Sequence, residues 1–78
     1  MTAETYKAKS GNLRKRPVMS EQEYRTLTYD GSPGFCLACG QDTDGVEPDA
    51  RRYPCESCSE PLVYGLEELL MMGLLKIT

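Results

Sequence analysis

The sequence predicts a small α+β domain. Short antiparallel β hairpins carry a four-cysteine metal site, with one helix before them and one after. Three observations predict it. The chain has 78 residues, 40% of them hydrophobic, with one Phe and no Trp. A chain this short buries only about 60% of the surface its unfolded form exposes, so it needs a staple beyond its apolar core. The cysteines supply one, as Cys36-Leu37-Ala38-Cys39 and Cys55-Glu56-Ser57-Cys58. Helical patterns lie on either side of them.

The first segment, residues 1–18, is expected to be a disordered basic arm. It is polar and broken by Ser10-Gly11-Asn12. A single domain over residues 19–78 follows. Ser20 can cap a helix, with Glu23 three residues on to close a capping box. Met19 and Tyr24 are placed to form a hydrophobic staple across that cap. A helix of two to three turns should bury Tyr24 and Leu27 and end at Asp30-Gly31-Ser32-Pro33-Gly34. Strands are expected around Phe35, around Arg52 and Tyr53, and from Leu62 to Tyr64. Asp44-Gly45 signals a turn, and Pro48 argues against a central strand. In the last segment Leu62, Leu66, Leu69, Leu70, Leu74 and Ile77 recur at spacings of three and four, which predicts a helix to the C-terminus. Gly73 is read as a weak point within it.

The cysteines form C-x2-C-x15-C-x2-C, a spacing read as a four-thiolate zinc site. Two residues between cysteines make a tight turn that aims both sulfurs at one point, and backbone N–H groups in the turn can donate to them. Two such turns, or knuckles, supply a tetrahedron at about 2.3 Å per sulfur. One structural Zn²⁺ held by Cys36, Cys39, Cys55 and Cys58 is the expected cofactor. Gly40 follows the first pair, where a positive φ lets the chain leave the turn, and Ser59 holds the matching place after the second. Asp42, Asp44, Glu47 and Asp49 lack the twelve-residue spacing of a calcium loop and read as an acidic surface.

These knuckles resemble those of the zinc-ribbon family, the rubredoxin-like zinc folds, over residues 35–64. The resemblance implies a ribbon fold and a structural metal, and leaves function open. Gly45-Val46-Glu47-Pro48-Asp49-Ala50 and Val63-Tyr64-Gly65-Leu66-Glu67 also look like phrases of small zinc-ribbon proteins encoded by phages and prophages. A rubredoxin-like iron electron carrier is the alternative that the same ligands allow, although such carriers pack several aromatics near the metal.

Charge and composition narrow the function. Residues 1–16 hold five Lys or Arg against one Glu, and the rest of the chain holds four against eleven acids. A divalent cation on four thiolates would add about two further negative charges. The body is therefore a poor surface for phosphates. There is no His, no Gly-rich phosphate loop, and no nucleophile beside a base, so no enzyme is expected. No apolar signal region is seen near Met1. The stretch from Leu62 to Ile77 is too short and too charged to span a bilayer, so a cytoplasmic protein with no membrane partner is expected. Met71, Met72 and Leu75 fall off the main apolar stripe of the last segment. Leu66, Leu70, Met71, Met72 and Leu75 are accordingly expected to meet a protein partner or a second copy of the chain. The leading expectation is a non-enzymatic interaction module, a regulator or inhibitor that docks on a protein complex of nucleic-acid machinery. The alternative is direct nucleic-acid binding by Lys7, Lys9, Arg14, Lys15 and Arg16.

Overall fold

A computed structural model describes residues 2–29, 31–47 and 49–78. Asp30, at the expected helix end, and Pro48 lie outside the described residues. The N-terminal segment is not a disordered arm. It folds into β1 (Thr2–Lys7) and β2 (Leu13–Met19), paired antiparallel with Glu4 opposite Arg16 and Tyr6 opposite Arg14. The supposed breaker is the turn itself. Gly11 N–H donates to the Ala8 carbonyl, Ala8 N–H donates to the Asn12 carbonyl, and Gly11 sits at φ 90°. This is a hairpin closed by a glycine bulge, where the left-handed residue has no Cβ to strain it.

Tertiary contacts hold β2 where its three consecutive cations gave no strand signal. Lys15 N–H donates to the Leu37 carbonyl at 2.6 Å, and Val18 and Met19 pair in parallel with β6 (Lys76–Ile77). Pro17 falls between these two anchors, and the edge facing away from β1 needs no donor there. Its ring and the Met19 side chain are buried. The first sheet thus runs β1-β2-β6.

Helix α1 (Glu21–Tyr29) starts as its sequence dictates. Ser20 Oγ accepts from Glu23 N–H at 3.1 Å, and Tyr24 packs against the buried cluster that also contains Met19. The second sheet has order β4-β3-β5, from β3 (Gly34–Cys36), β4 (Asp42–Thr43) and β5 (Val63–Gly65). Tyr53 adds one bridge to Val63. Arg52 does not extend it, because its φ of 57° turns the chain out of the strand.

Helix α2 is only Leu66–Met71, not a helix to the C-terminus. Gly73, at φ 75°, stops it: Gly73 N–H donates to the Leu70 carbonyl and Leu74 N–H to the Leu69 carbonyl. That pair of bonds is a Schellman motif, and glycine suits its left-handed position. The released chain then returns as β6, where Thr78 N–H donates to the Met19 carbonyl. The core is Met19, Phe35, Leu37, Tyr64, Leu66, Leu69 and Leu75, with Tyr24, Leu27, Leu62 and Leu74 at its margin. The described chain is a small α+β protein with two three-stranded sheets and two helices.

Candidate metal centre

The two knuckles hang from the second sheet and its bridge. Cys36 ends β3, and Cys55 follows the Tyr53 bridge by two residues. Each knuckle has the same two backbone bonds. Gly40 N–H donates to Cys36 carbonyl and Ser59 N–H to Cys55 carbonyl, both at 2.9 Å. Cys36 N–H donates to Gln41 carbonyl and Cys55 N–H to Glu60 carbonyl, both at 3.0 Å. Gly40 (φ 81°) and Ser59 (φ 66°) both take the left-handed position that ends the turn.

The knuckles face each other. The Cys36 and Cys58 sulfurs are 3.6 Å apart and those of Cys39 and Cys55 are 3.7 Å apart. All four lie within 4.8 Å of one another. A tetrahedron with 2.3 Å metal–sulfur bonds has edges of about 3.8 Å, so the spacing fits one four-thiolate cation. A disulfide needs about 2.05 Å, and all four residues are free cysteines. Val63 packs against the buried Cys36 and Cys55, with Ala38, Val46 and Leu62 alongside.

The sulfurs differ in their electrostatics. Burial pushes the Cys36 thiol up to about 12, although the Cys39 and Ala38 N–H groups oppose it. Ala38 N–H lies 3.4 Å from that sulfur. Burial also raises Cys39, against the opposing Gln41 N–H. Cys55 is drawn down to about 7, first by the Cys58 N–H, with Ser57 N–H adding to it. Backbone donors are therefore aimed at the sulfurs of both knuckles, and a bound cation would favour the Cys36 thiolate against its burial.

A second feature supports the knuckles and gave no sequence signal. Glu68 on α2 is buried, with a side chain 6% exposed, and Arg51 reaches it from the loop between the cysteine pairs. Arg51 Nε and the same guanidinium's terminal nitrogen donate to Glu68 Oε2 at 2.9 and 2.7 Å. Arg51 itself stays exposed, and its charge is spent on a buried carboxylate.

The expected partner residues do not form one surface. Leu66 and Leu75 belong to the core, so neither can meet a partner. Leu70, Met71 and Met72 remain exposed, at 40%, 83% and 44%. The five basic residues all lie on the hairpin. Lys7 and Lys9 are exposed, while Arg14, Lys15 and Arg16 are half-buried. Arg16 is committed internally: it bonds Glu4 at 2.6 Å and lies 5.7 Å from the Tyr6 ring centre. Its hydrogen bond holds Glu4 below the usual carboxylate range.

No family model matches the chain, and no curated protein or solved structure matches it either. The ribbon resemblance thus rests on the knuckles themselves. No helix among the described residues is long and apolar enough to cross a membrane.

Proposed function

We propose that the chain is a non-enzymatic zinc ribbon that works with nucleic-acid machinery and contacts nucleic acid through its N-terminal hairpin. One observation carries this reading: a projecting basic β hairpin is mounted on an acidic body stapled by four thiolates. The thiolate tetrahedron would be closed by one structural zinc, which leaves no position for a reacting water. Zinc holds the body that orients the hairpin, and the acidic body confines phosphate contact to the hairpin. The setting as a phage-encoded regulator rests on the resemblance of the two flanking phrases alone.

The test is retention of labelled, mixed-sequence nucleic acid by the metal-loaded chain at about 50 mM salt, where electrostatic binding is strong. Failure to retain any nucleic acid would overturn this reading. Elemental analysis of the purified protein should find zinc; a red, iron-loaded protein would replace the ribbon with an electron carrier. Deleting residues 1–16 is a poor control, because it removes strand β1 and most of β2. Docking on a protein partner is the second reading. Exposed Leu70, Met71, Met72 and Ile77 favour it.

A further inference from the structure

We infer that the hairpin enters the major groove of double-stranded DNA tip-first, with Lys7, Lys9, Arg14 and Lys15 meeting the phosphates on both walls. The inference rests on the nucleic-acid reading above and names its substrate class. Residues 5–15 contain four cations and no acid. Strand alternation splits these cations between the two faces. Tyr6 and Arg14 are opposite each other on one face, Lys7 and Lys15 lie on the other, and Lys9 is in the turn. A groove presents two phosphate walls, so a ribbon between them needs charge on both faces.

Size selects the groove. A two-stranded ribbon with side chains on both faces is about 10 Å thick, which suits a major groove about 12 Å wide and not a minor groove about 6 Å wide. The tip is free to enter. Lys7, Lys9, Ser10, Gly11, Asn12 and Leu13 are all exposed, and a Cβ on Gly11 would meet nothing within 4 Å. Ser10 lies five positions from Lys15, the last point on the tip side where the hairpin bonds to the body. At about 3.3 Å per residue the tip stands roughly 16 Å out, more than the groove's depth of about 8.5 Å. The acidic body then stays outside the groove.

A single strand suits this hairpin poorly. Strand binders stack bases on open aromatic rings, and the hairpin's one aromatic, Tyr6, is covered by Arg16. An A-form RNA duplex has a deep, narrow major groove that excludes a ribbon.

Fluorescence anisotropy tests this with the metal-loaded full chain and three probes of equal length: a mixed-sequence DNA duplex, one of its strands, and the RNA duplex. The DNA duplex should bind at least tenfold tighter than the others. Four phosphate contacts give a log–log salt slope of about −3.6, so affinity should fall about 150-fold between about 50 and 200 mM salt. The double variant Lys7→Ala, Lys9→Ala, checked for full metal content, should reduce that fall to about 12-fold. Equal binding of the single strand or the RNA duplex overturns groove entry and leaves the nucleic-acid reading standing. An unchanged slope in the double variant overturns the placement of the contacts. Binding to none of the probes overturns both readings.

Discussion

The two knuckles share a backbone and differ in almost everything around it. Both make the same pair of hydrogen bonds at the same lengths, and both end on a left-handed residue. Yet the first begins at a fully buried cysteine pushed up to about 12, and the second at one drawn down to about 7. The first knuckle is wedged in the fold: Leu37 N–H donates to the Leu62 carbonyl, and the Leu37 carbonyl accepts from Lys15 of the hairpin. The second is held at its base, by the Tyr53–Val63 bridge and by Arg51 reaching Glu68. The C-x2-C spacing thus dictates the turn, while the surroundings decide how readily each sulfur ionises.

The most severe way to break the comparison is to open the four-sulfur cluster that makes the knuckles one site. Cys36→Ser and Cys58→Ser should both unfold the domain, because the proposed structural zinc would contribute on the order of 10 kcal/mol to folding. Burial of Cys36 does not matter at this level, since either loss opens the tetrahedron. A folded, metal-loaded NMR spectrum from either variant would falsify the shared site.

Acid is the next lever, and the two knuckles have opposite signs. Cys55 favours its thiolate in the fold, so its contribution is full above the ordinary thiol range and is lost as pH falls through about 7. Cys36 favours its thiol up to about 12, so its own contribution is lost only as pH rises through that value. Protons competing for a bound cation add to the Cys55 sign. Lowering the pH from 8 to about 5 should therefore release metal and unfold the chain in one transition, followed by metal content and circular dichroism together. Metal retained at the lower end would mean that protons do not compete for these sulfurs.

How much of this was legible in the sequence depends on range. Local chemistry was readable: the cysteine spacing, the Ser20 cap and the turn at Gly40 are settled by residues a few positions apart. The hairpin was not. Leu13-Arg14-Lys15-Arg16 looks like a charged tail, and it becomes a strand because Leu37 and β6, distant in sequence, supply partners. Its one local signal was Gly11 after Ser10, which reads equally well as a breaker. Helix α2 was overrun because the leucine periodicity continues past Gly73, where the Schellman bonds end the helix. That periodicity was real, but Leu75 reaches the core from the chain beyond the helix.

A smaller effect should separate the knuckles' supports. Arg51→Ala leaves Glu68 buried on α2 without its cation, which should cost about 1–3 kcal/mol, less if the site admits water. The loss should fall on the second knuckle. Amide exchange from Tyr53 to Ser59 should quicken more than exchange from Phe35 to Gly40. Equal acceleration in both would show that the two are not separately held.

The smallest effects come from exchanging the residues that end the turns. Gly40→Ala forces a Cβ into a left-handed backbone, worth roughly 1–2 kcal/mol, and brings it 3.3 Å from the Ala3 Cβ. Ser59→Gly does the reverse: it relieves similar backbone strain but loosens the unfolded chain by about 0.4–1 kcal/mol, so the net gain should be below about 1 kcal/mol. Urea midpoints of the metal-loaded variants should therefore move in opposite directions, with the Gly40 shift the larger. If both fell by the same amount, Ser59 would be held by contacts that offset its strain, and the likeness between the knuckles would stop at their hydrogen bonds.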